Sequence, residues 1–233
     1  MTFQFTPPVS VCVDPRAAAA NCHRGCASED IYFALTGWHP GDAAADDDGE
    51  FDIHVLASLI AIAAAQGNAV HTQLGLSVGD FQALLDRCFP GAHDVFCGCD
   101  NDQATEEDDE VAMVRELLLA HRSTEGEESR WLASMIARRA VEPNHLWEDL
   151  GLRNRGELSR LLMRHFAPLA TQNTRNMRWK RFFYRMLCEA DGMVLCTSPV
   201  CTDCTDFDLC FGEETGESRL ARTRRAGAES PET

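Results

Sequence analysis

LASLIAIAAAQGNAVHTQLGL (residues 56–76) and LASMIARRAVEPNHLWEDLGL (residues 132–152) are the stretches whose reading decides the fold. They align without gaps at an offset of 76, with ten identities in twenty-one positions. In each, apolar residues recur at the three- and four-residue spacing of a helix face, and each ends on Leu-Gly-Leu after a gap of the same length. A further helical pattern follows both copies: FQALLDRCF (81–89), then ELSRLLMRHF (157–166) one residue later in register. This self-similarity predicts two related three-helix units. Chance likeness between two Ala- and Leu-rich helices is the alternative, and the matched gap before the shared Leu-Gly-Leu weighs against it.

Outward from these blocks the pattern stays helical, and nothing of useful length alternates with period two, so the fold class is all-α, a helical bundle. Helices are expected over residues 54–66, 78–88, 107–121, 129–141, 155–167 and 173–190. Asn154 followed by Glu157 has the spacing of a capping box at the start of the fifth, and Gly192 stands after the last as a stop. Two acidic stretches, 41–52 and 100–110, read as solvated loops or linkers. The organisation expected is an irregular acidic segment at 1–53, a first helical unit at 54–121 and a second at 122–192. A cysteine-rich loop at 193–214 and a disordered tail at 215–233 complete it.

With 233 residues, 45% of them hydrophobic and 25% charged, the chain can build one ample core or two small ones. Residues 1–15 carry no basic stretch and no long apolar run, unlike a secretory signal. The longest apolar run, 55–65, is broken by Ser58 and falls short of the roughly 20 residues a membrane span needs. A cytosolic protein is therefore expected, and in that reducing compartment eleven cysteines do not make a disulfide framework.

The net charge of −16 argues against general nucleic-acid binding, but it is unevenly placed. Between Arg153 and Arg185 stand nine basic residues against the single acid Glu157, a local +8 that leaves −24 for the remainder. This basic block directly precedes the densest cysteine motif.

That motif, CTSPVCTDCTDFDLC, runs from Cys196 through Cys201 and Cys204 to Cys210 as C-x4-C-x2-C-x5-C. Four soft thiolates within fifteen residues suit an iron–sulfur cluster or zinc, not a hard cation. Structural zinc usually takes two tight ligand pairs separated by a longer excursion, whereas here only Cys201 and Cys204 make such a pair. The C-x4-C-x2-C part matches the spacing of plant-type two-iron ferredoxins. Iron–sulfur is favoured and zinc stays open.

Accessory roles carry two readings each. Cys188 falls beside Arg178, Arg181 and Arg185 on a helical wheel, where cations favour the thiolate; it is a fifth ligand or sulfur donor, or simply a packed cysteine. His145 is an imidazole ligand to a transition metal, or it caps and packs a short helix together with Asn144. Cys97 and Cys99, beside His93, are spaced to take up adventitious metal. Cys12, Cys22, Cys26 and Cys88 have no partner pattern. The sequence has no Ser-His-Asp order, no Gly-rich phosphate loop and no HExxH, and so does not read as a conventional enzyme.

NHLWEDLGL (144–152), the MRWKRFFYRMLCE helix (177–189), the cysteine motif and the CFGEE that ends it (210–214) together resemble the NifQ family of nitrogen-fixation proteins. The resemblance covers residues 131–214. It implies a molybdenum-handling protein carrying a molybdenum–iron–sulfur cluster on Cys196, Cys201, Cys204 and Cys210, and supplying molybdenum for the iron–molybdenum cofactor of nitrogenase. It also implies docking on the cofactor-assembly scaffold and on the nitrogenase iron protein. Arg178, Arg181 and Arg185 offer planar donor forks for molybdate or an acidic partner; their other reading is a solvated face paired with the protein's many acids. An iron–sulfur electron-transfer protein and a zinc-stapled interaction or regulatory module are the competing functions.

Overall fold

The computed structural model describes residues 28–42, 47–66, 69–92, 96, 108–190 and 207–214. These are helices and their connections, with no strand among the described residues. No helix among them is long and apolar enough to cross a membrane. The expected tail at 215–233 and the stop at Gly192 lie outside the described residues. The chain divides into two compact units, the first before Thr105 and the second spanning Thr105–Arg219.

In the first unit α1 (Ser28–Thr36) packs on α2 (Asp48–Ala65), which is followed by α3 (Val70–Gln73) and α4 (Val78–Cys88). From His54 to Ala64 every residue of α2 is buried, so this is a central helix covered on all sides. Its polar members are satisfied within the core. Tyr32 Oη and His54 Nδ1 lie 2.7 Å apart, and Ser58 Oγ donates to His54 O at 2.8 Å.

The second unit is built on α5 (Asp109–Ala120), α6 (Glu127–Ala140), α7 (Leu146–Asp149), α8 (Arg155–His165), α9 (Ala167–Ala170), α10 (Trp179–Ala190) and α11 (Phe207–Phe211). Here α6 takes the central place, burying Trp131, Leu132, Met135 and Ile136, while α5 packs on it through Val111, Val114 and Leu118. α10 lies along α5 and buries Trp179, Phe182 and Phe183.

The self-similarity of the sequence reappears in the backbone. α3 and α7 have the same bounds at an offset of 76, and α4 and α8 at 77. Both Leu-Gly-Leu stretches end a helical turn in the same way. Gly75 (φ 66°) and Gly151 (φ 75°) take the left-handed conformation that glycine accepts without steric cost. Leu76 N donates to His71 O and Leu152 N to Trp147 O, each at 2.9 Å, while Gly75 and Gly151 donate to Thr72 O and Glu148 O. This is the Schellman arrangement. The next helices open on matching caps, Ser77 Oγ accepting from Asp80 N at 3.0 Å and Asn154 Oδ1 from Glu157 N at 3.1 Å.

Several expected boundaries move. α2 begins at Asp48, six residues ahead of the expected start, because the acidic run supplies its N-terminus: Asp47 caps Gly49 N and Glu50 N, and Asp48 and Glu50 lie in the first turn. α5 likewise opens on Asp108, Asp109 and Glu110. Both acidic stretches feed helix N-termini, where negative charge meets the positive end of the helix dipole. The segment before residue 54 also contains α1, so it is not wholly irregular. α5, expected in the first unit, belongs to the second.

The last long helix begins at Trp179, not at Asn173. Asn173 closes a loop on Met177, its Oδ1 accepting from Met177 N and its Nδ2 donating to Met177 O, both at 2.8 Å. Asn176 completes the turn at φ 55°. Such local side-chain bonds compete with helix, and asparagine also tolerates the left-handed region.

Candidate metal centre

Cys196, Cys201 and Cys204 lie outside the described residues, as do Cys12, Cys22, Cys26, Cys97, Cys99 and His93. The last cysteine of the motif is placed: Cys210 stands on α11, half-buried and in no disulfide. Cys188, near the end of α10, and Cys88, at the end of α4, are also half-buried and in no disulfide. No group of three or more His, Cys, Asp or Glu placed to hold a metal occurs among the described residues.

The segment bearing Cys210 is tied to the body at several points. Arg178, directly ahead of α10, donates its backbone N to Cys210 O at 2.8 Å. Its guanidinium donates to Gly212 O at 3.1 Å and to Glu213 O at 2.9 Å. Arg178 therefore serves α11 with both main chain and side chain, which the helical-wheel reading of residues 173–190 did not foresee. Glu214, with only 5% of its side chain exposed, pairs with Arg155 at 2.9 Å, as an ion pair without the alignment of a hydrogen bond. His145 Nδ1 lies 3.6 Å from the other Glu214 oxygen.

His145 thus occupies the N-cap position of α7 without capping it through its side chain, and is brought instead to the end of the cysteine motif. Around it α7 binds α10. Lys180 Nζ donates to Asp149 Oδ2 at 2.8 Å and also to Glu142 O, and Asn144 Nδ2 donates to Asp149 Oδ1 at 2.9 Å. Asp149 is fully buried, and its pairing with Lys180 answers the cost of removing a carboxylate from water. Arg155 also donates to Asn176 O at 3.0 Å and Met177 O at 2.8 Å, so one guanidinium serves the asparagine turn and Glu214 together.

The three arginines proposed as a donor row do not act alike. Arg178 is committed to α11, Arg185 pairs with Glu189 at 2.7 Å one turn on, and Arg181 is exposed. Further along α10, Tyr184 donates to Glu110 on α5. Burial first, and then the neighbouring carboxylates of Glu110 and Asp108, push the Tyr184 phenol well above its ordinary value, so it remains a neutral donor.

Of the residues that hold the Cys210 segment, His145, Arg178 and Glu214 lie in the stretches quoted in the resemblance. A family model described as NifQ matches residues 55–212, which spans both repeat copies and the motif through Cys210. The chain belongs to the NifQ family. It is 43% identical over 185 residues to a NifQ homolog of Sinorhizobium fredii, covering 78% of this chain and 79% of that protein. It is 41% identical over 161 residues to protein NifQ of Rhodobacter capsulatus, covering 69% and 87%. With protein NifQ of Azotobacter vinelandii it shares 47% identity over 106 residues, covering 46% and 54%. No solved structure matches the chain. Glu214 and Arg155 were missed as site residues by sequence reasoning, although the CFGEE end of the NifQ motif contained the first and the basic block the second.

Proposed function

We infer that the protein carries a molybdenum–iron–sulfur cluster as cargo and supplies molybdenum for the iron–molybdenum cofactor of nitrogenase. The observation that carries this reading is the C-x4-C-x2-C-x5-C set of thiolates in a chain of the NifQ family. Cys196, Cys201, Cys204 and Cys210 are the ligands in this reading, and molybdate is the source of the metal. Thiolate is the donor that iron in a sulfide cluster requires and that reduced molybdenum accepts. The half-buried Cys210, in no disulfide and held on the folded body through its carbonyl, is chemically suited to that task. Cys188 and His145 are accessory ligands in this reading, and exposed Arg181 is the member of the arginine row best able to meet an oxyanion or an acidic partner.

In this role the protein is a cytosolic reactant in a pathway, not a turnover catalyst. It passes its metal to the cofactor-assembly scaffold with participation of the nitrogenase iron protein, and binds neither nucleic acid nor membrane. The test is elemental analysis for iron, molybdenum and zinc on anaerobically purified protein, wild type beside the C201A/C204A double variant. Iron and molybdenum together, both lost in the variant, are expected. Zinc alone would replace the carrier with a structural module, and iron that never accompanies or transfers molybdenum would replace it with an electron-transfer protein.

A further inference from the structure

Cys210 is gripped on both sides by groups that are neither thiols nor metal. On one side Arg178 N reaches its own carbonyl, and the Arg178 guanidinium takes the carbonyls of Gly212 and Glu213. On the other, four residues on, the Glu214 carboxylate is buried between Arg155 and His145. The fit is close, since a Cβ on Gly212 would stand 2.5 Å from Asp208 O and 3.0 Å from the Arg178 guanidinium. Burying a carboxylate and aiming two arginines at five residues is costly unless the segment must be held in one place. At the matching positions of the first repeat, His145 and Arg155 are replaced by Ala69 and Val78, so the grip is particular to the copy that precedes the motif.

We propose that Glu214 is a positioning residue for Cys210, its carboxylate locking α11 to Arg155 and His145 so that the thiol is fixed on the body before any metal arrives. The proposal rests on the reading of Cys210 as a cluster ligand.

Full-length protein, freed of metal by chelation, is alkylated with iodoacetamide in a time course, and Cys201, Cys210 and Cys188 are followed separately by mass spectrometry. Wild type is compared with E214Q, which removes the charge, and G212A, which disturbs the fit without touching charge. In both variants the Cys210 rate is expected to rise about tenfold over wild type, with Cys188 unchanged. The iron-loaded variants also surrender iron to a chelator faster than wild type. Equal Cys210 rates in wild type and variants would overturn the proposal. Should a variant lose its helical circular dichroism, hydrogen exchange at the Gly212 amide of metal-free wild type decides: protection supports the lock, and exchange as fast as in an open chain overturns it. Protection of Cys210 in a protein that never takes up iron would count against the carrier reading while the lock itself stood.

Discussion

The two repeat copies share a backbone and differ in what they hold. Over residues 56–76 and 132–152 the turns, the left-handed glycines and the following caps coincide. Some of their divergent positions lie where the second copy meets α10 and the segment bearing Cys210. Gln66, Ala69, Gln73 and Val78 in the first become Glu142, His145, Asp149 and Arg155 in the second. Glu142 contributes a carbonyl to Lys180, Asp149 its carboxylate to the same ammonium, and His145 and Arg155 meet Glu214. The difference teaches that one helical frame serves twice, and that the side chains of Asp149, His145 and Arg155 turn its second use into a mount for the cysteine motif.

The comparison breaks most readily at the charged mount. Asp149→Ala strands Lys180 against a buried surface and is expected to cost about 3 kcal/mol. Gln73→Ala, at the matching place, should cost about 1 kcal/mol or less. Urea unfolding of the two variants checks this, and equal losses would mean that the pair with Lys180 contributes nothing specific.

Next come the positions where the copies should behave alike. Gly75→Ala and Gly151→Ala force a Cβ into the left-handed region and should each cost about 1–2 kcal/mol. A clear inequality between them would show that the shared turn is not equally required. Smaller still are the caps: Ser77→Ala and Asn154→Ala should each cost about 1 kcal/mol, read as shifts in the denaturation midpoint. The smallest effect is expected on chelation, which should leave the helical circular dichroism of the body almost unchanged, because the cores of α2 and α6 are closed by apolar packing. Equal loss of all helices on chelation would contradict that.

Much of the frame was legible because it obeys local rules. Val78–Cys88 was read with both of its observed ends from its apolar period, and Ser77 caps it in the structure. The start of α2 was not, because Asp48, Gly49, Glu50 and Asp52 look like a solvated loop until one sees that Asp47 caps the helix and that Phe51 is buried in the core. The start of α10 was misread for a related reason: Asn173 spends its side chain on Met177, a bond that periodicity does not register. At the candidate site the sequence identified Cys210 and His145 and left their connection unread. That connection runs through Glu214, close to Cys210 in the chain but far from His145 and Arg155, and an ion pair across such a separation leaves no periodic trace.

Trp179 follows Arg178, whose amide reaches the carbonyl of Cys210, and its indole is buried among Phe182 and Phe183. An iron–sulfur chromophore held on Cys210 would absorb across the emission band of that indole and drain its excited state. Loading and unloading of the cargo would then be visible as dimming and recovery of intrinsic fluorescence, a built-in optical gauge that requires no label.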